Sequence, residues 1–359
     1  ISGSPYAVSS GRTDKSTAKQ RVNVNGGSYT GNIDSGAGSD ITINAEVKGN
    51  MRVVNDFSYN LGSASYITSG PSKVTLAEGG SVSGTINAAA KNGNTYYSTV
   101  TNAVEEATNG NTIELVQDTT EDVVIPADKT VTLDLNGKTL TNSAGDTITV
   151  ALGANLTIEG EGTVDNISHG KAAVYNNGFV TLNGGTYTRS KETGDVKVDK
   201  NSYYNILNHG SMTINKDVTV EQSGNFSSLV VNGYYEGVTS KGEKSQYIEG
   251  TNVAEPTLTI KGGTFSGGIN TLKNDDGGNI TINGGTVTNY TQAALQNHNV
   301  ATINGGTFTA DSKYVIDDCG CNEAHDSGEL MIFGGTFMGK LYVRSPYSKV
   351  TIMDGLFKG

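Results

Sequence analysis

Apolar residues and threonine alternate in short triplets along this chain, and each triplet runs into a glycine pair, a Thr and an apolar or aromatic residue. Val180-Thr181-Leu182-Asn183-Gly184-Gly185-Thr186-Tyr187 is one copy and Leu258-Thr259-Ile260-Lys261-Gly262-Gly263-Thr264-Phe265 is the next. The phrase returns at Ile280–Val287, Ala301–Phe308 and Leu330–Phe337, and in degenerate form at Val350–Phe357. Period-two alternation predicts a strand at each triplet, the Gly-Gly pair a corner, and the Thr-aromatic stretch a second strand. From the second copy onward the offsets are 22, 21, 29 and 20 residues. A repeat of that length, made of strands and glycine corners, predicts an all-β chain wound as a β-solenoid with coils of about 20–24 residues.

A second register, at a corner, precedes each triplet. Val174, Ile206, Val230, Leu272, Leu295 and Ile316 are each followed, two residues on, by Asn176, Asn208, Asn232, Asn274, Asn297 or Asp318. Asn tolerates left-handed backbone angles, and its amide reaches its copy one coil away, about 4.8 Å distant. This column therefore predicts a structural ladder. In the second strand, alternation points Tyr187, Phe265, Val287, Phe308 and Phe337 inward as a core stack and leaves the neighbouring threonines outside.

Residues 1–20 lack any period and read as a polar tail. Residues 21–92 read as a first solenoid segment, with Val22-Asn23-Val24, Ile41-Thr42-Ile43 and Val74-Thr75-Leu76 as strands. Lys91-Asn92-Gly93-Asn94 reads as a linker. One helix is expected over about residues 98–108, where Val100, Ala103, Val104 and Ala107 form one apolar face, Ser98 or Thr99 is the N-cap and Asn109-Gly110 the stop. It sits where a second solenoid, residues 93–359, needs a cap over its first coil.

Hydrophobic residues make up 35% of the 359, and 48 are glycine, as expected of a thin core with glycine at every corner. The formal net charge of −11 disfavours nucleic acid and anionic membranes as partners. With two cysteines, Cys319 and Cys321, the fold does not rest on a disulfide framework. No apolar run approaches the ~20 residues of a membrane span. The start at Ile1 and the end within a coil motif at Gly359 suggest a piece of a larger protein, and an acidic Thr/Asn/Gly-rich solenoid is most easily placed outside a bacterial cell.

The helix, with Thr112-Ile113-Glu114-Leu115 and Val131-Thr132-Leu133-Asp134-Leu135-Asn136-Gly137-Lys138, resembles the start of a right-handed parallel β-helix of the pectate-lyase-like superfamily. The resemblance is to the form found in large surface, adhesin-type proteins of Gram-positive, often gut, bacteria. It implies the fold and its handedness. It does not select a function, because that superfamily holds lyases, hydrolases, adhesins and inert stalks.

Candidate chemistry is sparse. A glycoside hydrolase of this fold needs paired carboxylates, for which Asp275-Asp276 and Asp317-Asp318 are the candidates. Ser168-His169-Gly170 resembles the His motif of polygalacturonases, but it precedes the acidic pairs instead of following them, and the Arg-Ile-Lys motif of that family is absent. The position after the ladder runs Asn177, His209, Gly233, Asp275, His298, Cys319, so adjacent coils bring an acid, an imidazole and a thiol together. Asp317, Cys319, Cys321 and His325 fall inside one protruding loop, for which a metal ion, a local Cys319–Cys321 disulfide and plain surface thiols are all open. No other cofactor is implied.

Two insertions, residues 189–205 and 233–256, carry Tyr203, Tyr204, Tyr234, Tyr235 and Tyr247 with Lys241 and Lys244. Loops on a rigid scaffold commonly carry binding function, and exposed rings stack on sugars or anchor protein contacts. The opposing expectation is that these rings pack back onto the solenoid. The expected function is a non-catalytic extracellular stalk and adhesin segment, with a glycan or a host or microbial surface protein as partner. The alternative is a polysaccharide-active lyase or hydrolase.

Overall fold

The computed structural model describes residues 6–13, 18–61, 64–193, 203–234, 247–311, 313–319, 328–346 and 348–359. Their regular secondary structure is strand apart from one helix, and the chain divides into two compact units: residues 1–119 with 131–138, and residues 120–130 with 139–359.

In the first unit, Gln20–Thr30, Ser39–Lys48 and Lys73–Leu76 stack in parallel, as do Tyr6–Ser10, Asn32–Ser35, Met51–Val53 and Ile86–Asn87. Their inward residues, among them Ile33, Ile41, Ile43, Val47, Met51 and Val74, form one buried core. Lys91–Asn94, read from sequence as a linker, is instead the turn of a hairpin. Ala90–Asn92 pairs antiparallel with Thr95–Tyr97 across Gly93, whose φ of 56° requires a residue at home in the left-handed region. One arm pairs antiparallel with Lys73–Leu76 and the other with Asn111–Leu115. Three successive antiparallel pairings reverse the strand direction between the early strands and Asn111–Leu115.

The helix, α1, spans Val100–Glu106, shorter at both ends than its periodicity suggests. Thr99 is the N-cap and its side chain accepts a hydrogen bond from the backbone N–H of Asn102 at 3.0 Å, satisfying one of the amides a helix start leaves open. Val100, Ala103, Val104 and Ala107 are all buried, and Glu106 pairs with Lys73 at 2.7 Å.

The second unit is a right-handed parallel β-helix of three sheets. The first runs from Asn155–Glu159 through Phe179–Leu182 to Lys349–Ile352, the second from Gly162–Asp165 through Thr186–Thr188 to Leu356–Lys358, and the third from Val123–Ile125 through Val174–Asn176 to Leu341–Val343. Each strand pairs in parallel with its copy one coil on. The two insertions leave this register intact: Val174 stands opposite Ile206 and Val230 opposite Leu272 although the sequence separations are 32 and 42 residues.

Tyr187, Phe265, Val287, Phe308 and Phe337 are fully buried, as expected of the inward column. Phe308, Phe337 and Phe357 stack with centroids 5.1 and 4.7 Å apart. The second glycine of each corner pair has positive φ (85° at Gly185, 109° at Gly306), so a side chain there would be strained.

Candidate functional site

The ladder is complete and continuous. Asn176 donates its side-chain amide to the Oδ1 of Asn208 at 2.7 Å, Asn208 to Asn232 at 2.7 Å, Asn232 to Asn274 at 2.9 Å, Asn274 to Asn297 at 2.9 Å and Asn297 to Asp318 at 2.8 Å. Each of the five asparagines also donates to a backbone carbonyl at the start of the first-sheet strand one coil on, as Asn274 does to Val300. All six side chains are fully buried. Asp318, the one acid in the column, is pushed above the usual carboxylate range by burial, although the Asn297 hydrogen bond works the other way. Its Oδ2 has no hydrogen-bond partner among the described residues.

The position after the ladder gathers the remaining chemistry. His209 is held between aromatic rings, its centroid 5.4 Å from that of Tyr175 and 4.4 Å from that of Tyr234, and the Tyr175 hydroxyl lies 3.2 Å from its Nδ1. Two coils on, Asp275 is fully buried with Oδ2 against the Lys273 ammonium at 2.5 Å. His298 follows, 3% exposed, with Nε2 3.6 Å from the Cys319 sulfur. Burial lowers the pKa of both His209 and His298 to about 4, so each ring is neutral at pH 7.

The acid, imidazole and thiol are thus neighbours, as the spacing predicts. They do not form a relay, because Asp275 turns its carboxylate to Lys273, and among the described residues neither its Oδ1 nor His298 Nδ1 has a hydrogen-bond partner. Cys319 is fully buried, so its sulfur is not the surface thiol that one of the sequence readings allowed, while its relation to Cys321 lies outside the described residues. Sequence reasoning passed over Lys273 and Arg344. Lys273 stands in the outward column of the third sheet, in register with Gln296, Asp317 and Tyr342, a column legible from the same spacing that gave the ladder.

The other candidate acids are buried. Asp317 is fully buried and held by two bonds from Arg344, at 2.9 and 2.5 Å. Asp276 is 2% exposed, and its backbone exchanges hydrogen bonds with Tyr234 at 2.8 and 3.1 Å. His169 is exposed at another corner, after Gly162–Asp165, several coils before either acidic pair. Among the described residues no three His, Cys, Asp or Glu side chains converge as metal ligands. Cys321 and His325 lie outside the described residues.

The insertion residues divide. Tyr203 and Tyr204 lie with centroids 4.9 Å apart and pack with Tyr175 on Ala172, Leu207 and Val231, a small apolar cluster built on the third sheet. Burial raises the Tyr203 hydroxyl well above its ordinary range. Tyr234 is 3% exposed, its hydroxyl donating to the carbonyls of Val253 and His209. Tyr247 is 45% exposed. Tyr235, Lys241 and Lys244 lie outside the described residues.

No helix among the described residues is long and apolar enough to cross a membrane. Comparison with protein-family models, curated proteins and solved structures gave no match to any of them.

Proposed function

We propose that the chain is a non-catalytic β-helical segment displayed outside the cell, a stalk and adhesive surface whose partner is a glycan. The observation that carries this reading is the use of its polar interior. A glycosidase requires two carboxyl groups flanking an accessible bond, and Asp275, Asp276, Asp317 and Asp318 are all between 0% and 2% exposed, the carboxylates of Asp275, Asp317 and Asp318 being engaged with Lys273, Arg344 and the ladder and Asp276 being fixed to Tyr234 through its backbone. The polar groups that another β-helix would spend on catalysis here hold coil to coil. The outer surface is hydroxyl-rich, with single exposed rings such as Tyr247 and Tyr290, and rings of that kind suit the faces of sugars. The acidic, Gly/Thr/Asn-rich composition and the resemblance to Gram-positive surface proteins support an extracellular setting.

The test is an array of mucin, plant and microbial glycans probed with the purified chain, with product analysis of every glycan bound. Saturable binding without cleavage is the expected result. Release of reducing ends or unsaturated products would overturn the non-catalytic reading in favour of a polysaccharide-active enzyme.

A further inference from the structure

Away from the ladder, on the corner between the second and third sheets, three successive coils leave a hollow of about 280 Å³. Gln222, Ser223 and Asn225 come from the first coil, Ser266 and the Gly267-Gly268 pair from the next, and Tyr290 with Thr291 from the third. Three coils at the strand spacing span roughly 10 Å.

Three features of the hollow point to a ligand. Gln222 is 6% exposed, and among the described residues neither its amide oxygen nor its amide nitrogen has a hydrogen-bond partner. An unpartnered buried carboxamide is destabilising, and that cost is recovered when a polar guest takes up its donor and acceptor. Tyr290 stands at the rim with 62% of its surface exposed, although an aromatic ring normally gains by burial. Between the two, the backbone comes close and stays fixed. Gly267 and Gly268 have φ of 106° and 72°, and a Cβ on Gly267 would lie 2.0 Å from the Gln222 carbonyl oxygen, so nothing larger than glycine fits. Asn289, directly before Tyr290, anchors the corner by donating to the Gly268 carbonyl at 3.2 Å and accepting from the Thr291 N–H at 2.8 Å.

We infer that this hollow is a binding subsite for an uncharged saccharide, with Tyr290 as the stacking platform and Gln222, Asn225 and the hydroxyls of Ser223, Ser266 and Thr291 as hydrogen-bonding partners. The residues lining it carry no formal charge, and the charged side chain packed behind Gly224, Glu192, is an acid, so the hollow offers no counter-ion to a uronate, sulfate or phosphate, and its amides and hydroxyls serve as both donors and acceptors, as sugar hydroxyls require. The subsite rests on the glycan-binding reading above and gives it a location apart from the Tyr/Lys insertions.

The experiment titrates the whole chain with cellobiose, maltose, lactose and xylobiose, and with digalacturonate as the acidic comparator, followed by saturation-transfer NMR. At least one neutral disaccharide binds saturably and more tightly than digalacturonate. Tyr290→Ala, an exposed change, weakens it about tenfold or more, and Asn225→Ala weakens it with no change in melting temperature. Preference for digalacturonate overturns the proposal. So does a neutral ligand whose affinity survives Tyr290→Ala but is lost in Tyr247→Ala, an outcome that leaves the broader glycan reading standing. Absence of binding both to these sugars and on the full array overturns both.

Discussion

Asn297 donates its side-chain amide to Asp318 at 2.8 Å, so a column of five asparagines ends on a carboxylate. An Asn there would keep the acceptor and add a donor where Oδ2 now has no partner. The repeat supplies the acceptor for it. Asn297 donates to the Glu329 carbonyl, and Lys349 stands opposite Glu329 one coil on. Asp318→Asn is expected to stabilise the second unit by about 1 kcal/mol at pH 7, read as a higher urea midpoint. Because burial raises the Asp318 pKa, the native acid takes up its proton before the unfolded one does. The gain from Asn therefore shrinks as pH falls. A gain independent of pH would refute this account.

Interior rungs should matter more. Asn232 both accepts from Asn208 and donates to Asn274, so Asn232→Ala leaves buried groups unpaired on two neighbouring coils. A loss of about 2–3 kcal/mol is expected, visible as a lower urea midpoint, and a loss under about 0.5 kcal/mol would mean the ladder is ornamental.

The buried histidines set a pH dependence. Their folded pKa values of about 4 lie below the unfolded 6.5, so between those values the unfolded state binds more protons. Stability from this source is fully present above about pH 6.5 and is lost as pH falls towards 4, on the order of 3 kcal/mol for each ring. Asp318 and Asp146, both raised by burial, act in the opposite sense at the acid end. Thermal melts across pH 4–7 should slope upward with pH, and His298→Asn should flatten that slope.

Phe308 fills the column between Val287 and Phe337 and is fully buried. Phe308→Ala should cost about 3–5 kcal/mol through lost burial and the cavity left behind, and Phe308→Leu distinctly less. Equal losses would show that the stack is not closely packed.

Cys319, fully buried beside His298, should resist a thiol reagent in the native protein. In a Cys321→Ser background, labelling is expected only after denaturant is added. Rapid native labelling would show an accessible nucleophile and reopen the catalytic alternative.

Much of this was written in the spacing. Because each coil repeats the last, an offset in sequence is a position in space, and so the ladder from Asn176 to Asp318, the inward column from Tyr187 to Phe337 and the meeting of Asp275, His298 and Cys319 were all legible. What failed to show were features decided by partners outside the repeat. Lys91–Asn94 has the composition of any polar turn, and only pairing with strands about 20 residues away on either side makes it a hairpin that reverses direction. Tyr203 and Tyr204 look the same in sequence whether they face a sugar or lie on Leu207 and Val231. Asp275 is a different case: it reads as half of an acidic pair although its partner Lys273, two residues earlier, stands in a column the spacing already gave.

The ladder has a consequence under load. Strands of a parallel β-helix are bonded along the direction in which the coils stack, so tension applied along the second unit falls on the boundary between one coil and the next. At each boundary from Asn176 to Asp318 a buried side-chain bond shares that pull with the backbone. Rupture then proceeds coil by coil from an end, releasing about one repeat of slack at each step, and a tether built this way dissipates a sudden jerk in instalments without parting all at once.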